Sequence, residues 1–83
     1  WNSRLVEAAM ALNDNRLDIA ERLLPAHLKA DPFDVKASRL LAELAGRIDR
    51  LHDAEHLLRR ALELSPNFTA ARANLALVLG RLG

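Results

Sequence analysis

Residues 17–32 read LDIAERLLPAHLKADP, and residues 51–66 read LHDAEHLLRRALELSP. At an offset of 34 residues the two stretches share the first Leu, an Ala-Glu pair, a Leu-Leu pair, a further Leu and the closing Pro. A fixed period of roughly 20–50 residues is typical of repeat arrays, in which each unit buries its apolar face against the next. The sequence therefore predicts a stack of similar helical units.

The apolar spacing predicts five helices and an all-α fold. Their expected bounds are Ser3–Asn13, Leu17–Ala30, Val35–Arg47, Leu51–Leu64 and a fifth helix that continues to about Leu82. Short polar side chains satisfy the free N–H groups of a first turn, so we expect Asp34 to cap the third helix. For the same reason we expect Asn2 or Ser3 to cap the first helix, and Asn67 or Thr69 to cap the fifth. The links between helices are short, and short links make neighbouring helices antiparallel.

Small side chains recur at the same place in successive units. Ala8, Ala42 and Ala76 share one place on the first helix of a unit, and Ala20 and Ala54 share one on the second. A small residue lets two helix backbones approach closely, and a larger one would overpack the contact. The pattern indicates closely packed helix pairs.

These features resemble the tetratricopeptide repeat family: the 34-residue period, the small residue in each helix, and Pro32 and Pro66 after the second helices. The resemblance implies a right-handed superhelix of antiparallel helix pairs, with about 2.5 repeats in one domain. The units would be residues 1–34, 35–68 and a partial third unit at 69–83. Three features depart from the family pattern: His27 occupies the place of Ala61, Leu replaces the usual aromatic residues, and Asp14-Asn15 and Asp49 replace the turn Gly.

A second resemblance lies in the run DAEHLLRRALELSPNFTAARANLALVLGRLG at residues 53–83. It is similar to repeats that precede the catalytic domain in bacterial sulfotransferase-type proteins, which implies a regulatory or substrate-presenting arm as an alternative function. The sequence has no Gly-rich phosphate loop, so we expect no nucleotide or other cofactor on this segment and no enzymatic activity.

Composition narrows the class of partner. The chain has 83 residues with 12 basic and 11 acidic groups, and a net charge of +1 argues against a general nucleic-acid binder. There is no cysteine, and no apolar run approaches the length of a membrane span. The chain begins with Trp1 rather than Met, so we expect a fragment of a longer protein, with a cytoplasmic location because the segment carries no targeting signal.

The family resemblance implies that a partner protein or peptide binds on the concave face, which the first helix of each unit lines. The residues expected there are Asn2, Leu5, Val6, Ala9, Asn13, Lys36, Arg39, Leu40, Glu43, Arg47, Ala73, Asn74, Leu77 and Arg81. The basic members would favour an acidic segment through weak, salt-sensitive attraction. The sequence therefore predicts an interaction scaffold.

A third hypothesis is self-association through the fifth helix, which has no following helix in this sequence to cover it. Apolar surface is expected from Leu75, Val78, Leu79 and Leu82. An exposed patch of this kind marks an association site or results from truncation. We favour truncation as its origin and expect self-association of the chain to a homo-oligomer through that helix as a consequence.

Two local features need an interpretation. His52 and His56 lie in an H-x-x-E-H pattern known from zinc peptidases, but the repeat places both on a solvent-facing side, so we expect surface histidines and no metal site. Pro25 falls inside the second helix, where the second unit has Arg59. We expect a local bend there, with a bend that shapes a partner site as the alternative.

Overall fold

The computed structural model describes residues 3–83, and every regular element in that range is an α-helix. The five helices are α1 (Ser3–Asn13), α2 (Leu17–Ala30), α3 (Val35–Arg47), α4 (Leu51–Leu64) and α5 (Thr69–Leu82). The predicted all-α class and the helix bounds are thereby confirmed. None of these helices is long and apolar enough to cross a membrane.

One of the expected caps forms as predicted and another does not. The Asp34 side chain accepts hydrogen bonds from the N–H groups of Lys36 and Ala37, at 3.1 and 3.2 Å. The prediction that Asn67 or Thr69 caps α5 is wrong. Phe68 occupies the N-cap position, and no side chain caps the helix. Phe68 packs against the core between α3, α4 and α5. Asn2, the alternative cap of α1, lies outside the described residues.

The turns repeat in their backbone geometry. Asn15, Asp49 and Gly83 stand 34 residues apart and have φ values of 59, 64 and 96°, in the left-handed region. Glycine, asparagine and aspartate enter that region at the lowest cost, which suits them to a tight turn. The N–H of Arg16 donates to the Ala11 carbonyl at 2.7 Å, as the N–H of Arg50 does to the Ala45 carbonyl at 2.8 Å. The α1–α2 and α3–α4 links are thus two copies of one turn.

The helices lie in two rows. α1 contacts α3, and α3 contacts α5, so these three helices form an inner row. In the outer row, α2 packs on α1 and α3, and α4 packs on α3 and α5, while the backbones of α2 and α4 do not come close to each other. One side of α3 therefore faces the space between α2 and α4, and its other side belongs to a surface shared with α1 and α5.

The core consists of two clusters of buried side chains. One cluster joins α1, α2 and α3 around the fully buried side chains of Leu12, Leu24 and Leu44. The other joins α3, α4 and α5 around Leu58 and several alanines. The alanines at the repeated small positions of the first two units are all buried, as their role in close packing requires, and these are Ala8, Ala20, Ala42 and Ala54. The matching residue of the third unit, Ala76, is exposed.

Candidate partner-binding face

The inner face is the surface of α1, α3 and α5 on the side away from α2 and α4. Most of the residues expected on the concave face are exposed or half-buried: Ala9, Asn13, Lys36, Arg39, Glu43, Arg47, Ala73, Asn74, Leu77 and Arg81. Val6 is exposed too, but it borders a hollow that includes Ile19 of α2 and so lies on the α2 side of α1. Two of the expected residues are core residues instead. Leu5 is 4% exposed and Leu40 is 7% exposed, because both point into the cluster between α1, α2 and α3. Asn2 lies outside the described residues.

A basic hollow of about 200 Å³ opens on this face, and its lining consists of Ala9, Lys36, Arg39, Leu40, Phe68 and Ala70. Two cations stand beside apolar side chains, and the lining holds no acidic residue. Arg39 has one acidic neighbour outside the hollow, since its Nη1 lies 3.8 Å from Oε1 of Glu43. This hollow can accept a carboxylate and an adjoining apolar group together.

A second hollow, of about 160 Å³, lies between α3 and α5 and brings together five of the expected residues, which are Glu43, Arg47, Asn74, Leu77 and Arg81. Unlike the basic hollow, its lining includes an acidic side chain together with basic and apolar ones. Leu77 is 70% exposed and supplies its most accessible apolar surface. The inner face thus combines cations with uncovered apolar side chains.

Two of the expected binding cations have a structural role that the sequence reasoning missed. Arg47 donates from Nη1 to the Leu12 carbonyl and from Nη2 to Oε2 of Glu43 at 2.8 Å. Arg81 donates from Nη1 to the Gly46 carbonyl at 2.9 Å. The two arginines are 34 residues apart, and so are the two acceptor carbonyls. Each arginine therefore links one helix of the inner row to the C-terminal end of the preceding one. The signal in the sequence was the recurrence of arginine itself, at positions 47 and 81.

A buried polar junction between α2 and α3 was also missed. His27 is buried, and its Nε2 lies 2.7 Å from Oδ2 of Asp34. Burial raises the pKa of Asp34, but the hydrogen bond from His27, the N–H bonds of Ala37 and Lys36 and the charge of His27 outweigh it, so the pKa is lowered overall. The sequence carried one sign of this junction, because His27 stands where the second unit has Ala61.

A second carboxylate lies close to this junction. Asp31 places an oxygen within 4.8 Å of ligand atoms of His27 and Asp34. His27 and Asp34 already satisfy each other, and Asp34 also caps α3, so we assign the group a structural role.

The two histidines of the H-x-x-E-H pattern lie on the surface, as predicted. The His52 side chain is 88% exposed and 3.8 Å from Glu55, and His56 is also exposed. Within residues 3–83, the only group of three metal-ligating side chains close together is the one at the α2–α3 junction. His52 and His56 therefore lack a third ligand among the described residues.

The apolar patch expected on α5 is only partly open. Val78 is 7% exposed and belongs to the core, which corrects its assignment to a free surface, and Leu75 and Leu82 are half-buried against the same cluster. α4 provides this cover. Leu79, at 39% exposure, is the one residue of the expected patch that is exposed.

Comparison with known proteins gives no relative from which a role could be transferred. No protein-family model matches the chain, nor does any curated protein or solved structure. The tetratricopeptide likeness therefore rests on residues of the chain itself, and function is inferred from the geometry of the inner face.

Proposed function

We propose that this chain is a tetratricopeptide-like interaction module, wound as a right-handed superhelix, that binds an acidic, partly apolar segment of another protein on its inner face. The basic hollow between α1, α3 and α5 carries this proposal. It places Lys36 and Arg39 beside Leu40 and Phe68, with no acid in the lining. The 34-residue recurrence of turns and arginine contacts supports the repeat architecture.

Binding would combine two weak contributions. A carboxylate of the partner approaches Lys36 and Arg39, while a neighbouring apolar side chain covers Phe68 and the floor of the hollow. Attraction between charges at a surface is screened by salt, so affinity should fall as ionic strength rises. Complementary charge also selects against basic segments, and the apolar contact sets the register of the bound chain.

Arg39→Glu is expected to weaken binding of an acidic peptide by at least about tenfold, since it reverses a charge in the basic hollow. The measurement is fluorescence anisotropy with a labelled peptide of alternating Glu and Leu, at low and high salt. Arg59→Glu is a matched control, because Arg59 also pairs with a glutamate four residues away but lies on α4. Equal losses in both variants, or equal binding of a Lys-Leu peptide, would contradict the proposed site.

Self-association is the second candidate, and the exposure of Leu79 favours it. Leu79→Glu is expected to shift the mass measured by light scattering toward the monomer, over a tenfold range of protein concentration, because a charge at an apolar interface is costly to bury. Leu64→Glu is the control, since Leu64 is similarly exposed, at 44%, but lies on α4. An unchanged mass in Leu79→Glu would move any self-association away from α5.

A further inference from the structure

An outer groove lies between α2 and α4, on the side of α3 away from the inner face. Its volume is about 420 Å³, which falls within the range of roughly 300–1,000 Å³ that is usual for small-molecule sites. The floor and one wall are aliphatic and consist of Leu41, Leu44, Ala45, Ile48 and Leu57. Ile48 is 39% exposed, so apolar surface remains open to solvent in the groove. The backbones of α2 and α4 do not come close to each other, so the groove separates the two helices.

The charges on the rim are arranged unevenly. At the N-terminal end of α4, Asp53 lies 4.0 Å from Arg50, and the two charges offset each other. Arg60 lines the groove about 10 Å further along α4, at 1.5 Å per residue, and forms no ion pair with any residue from 3 to 83. Its guanidinium carbon is 6.0 Å from the centre of the Phe33 ring. One end of an aliphatic groove thus carries an uncompensated cation.

Pro25 gives the α2 wall of the groove a compact apolar segment. The matching residue of the second unit is Arg59, whose Nε donates to Oε2 of Glu55 at 2.9 Å. Pro25 lines the groove, so a long charged side chain at this position would project into or across it. The proline ring instead leaves that space free and adds apolar surface. The other residue that α2 contributes, Glu21, lies one turn nearer the start of the helix, so an anion would be favoured at the Arg60 end.

We propose that the outer groove binds a free aliphatic amphiphile with one anionic head group, its chain on the α3 floor and its head at Arg60. The recessed shape and the volume suit a single chain, and the open floor gives the chain apolar surface to cover. The unpaired guanidinium supplies the complementary charge. This site is separate from the inner face, so neither proposal depends on the other.

The test is an NMR titration of the whole chain with decanoate, kept below its micelle concentration. We expect saturable amide shifts along residues 41–48 and 53–60, and at least about tenfold weaker binding of decyltrimethylammonium, which has the same chain and the opposite charge. Arg60→Glu should weaken decanoate binding by a similar factor. Arg59→Glu, at the adjacent residue outside the groove, should leave it unchanged.

Pro25→Gln separates loss of the groove from loss of the fold. It restores a backbone N–H inside α2 and should raise the melting temperature, while its longer, uncharged side chain obstructs the groove and weakens decanoate binding. Ile48→Glu, at a half-open position of the floor, gives a second variant should Pro25→Gln fold poorly. Equal binding of the cationic amphiphile, shifts confined to the inner face, or no saturation would overturn the proposal. So would binding of phosphatidylglycerol vesicles or of a leucine-rich acidic peptide without binding of decanoate.

Discussion

Asp34→Ala is expected to lower the free energy of unfolding by about 2–4 kcal/mol. The substitution removes the side chain that accepts the N–H bonds of Lys36 and Ala37, and loss of an N-cap costs roughly 1 kcal/mol. It also leaves the buried His27 without its hydrogen-bond partner, and an unsatisfied buried polar group costs about 1–3 kcal/mol. Urea unfolding followed by circular dichroism measures the change. Asp14→Ala, at an exposed turn residue, should stay within about 0.5 kcal/mol.

The same residue predicts how stability depends on pH. The pKa of Asp34 is lowered from its ordinary value of 3.8, so the folded state favours the ionised carboxylate. Its contribution to stability is therefore complete above that value and is lost as the pH falls through the lowered folded pKa. Asp34→Asn keeps an acceptor for the cap but removes the charge. The stability difference between wild type and Asp34→Asn should shrink between about pH 5 and pH 2, and a constant difference would rule out the ionised form as its source.

Ala42→Leu is expected to cost about 1–3 kcal/mol, because three added carbons must enter a buried position between α3, α4 and α5, where the small hollow between α3 and α5 is the adjoining free space. Ala42 is 2% exposed and lies in the core cluster shared by α3, α4 and α5. For a domain of this size, each kcal/mol corresponds to a fall of about 4–8 °C in the melting temperature. Thermal unfolding by circular dichroism or calorimetry gives the value.

The chain contains its own control for this substitution. Ala76 occupies the same place in the third unit but is exposed on α5. Ala76→Leu adds the same atoms to the same position of the repeat, where no described helix covers it, and should change stability by less than about 0.5 kcal/mol. Similar losses from both substitutions would mean that the cost comes from the helix itself and not from packing against α4.

The sequence was sufficient to predict the helices because their signals are local. Apolar spacing marks the face of each helix that packs inward, while Pro32 and Pro66 follow the ends of α2 and α4. The cap of α3 was predictable for the same reason, since Asp34 bonds N–H groups two and three residues away.

The remaining features depend on contacts that no local pattern records. Phe68, the N-cap residue of α5, packs on the cluster shared by α3, α4 and α5, and Val78 is buried in the same cluster. The acceptors of Arg47 and Arg81 are backbone carbonyls, which every residue has, so the sequence could not identify them. The basic hollow needs α1, α3 and α5 to be placed side by side before Lys36 and Phe68 can share a wall.

The contacts of Arg47 and Arg81 make the order of the units matter. In each contact the arginine belongs to the later unit and the carbonyl to the earlier one. The matching position in the first unit holds Asn13, whose side chain is shorter and uncharged. In a rearranged protein with the first unit placed after the second, Asn13 would lie at the arginine position, opposite the acceptor carbonyl. The units are therefore not interchangeable parts, although their helices and turns are nearly the same.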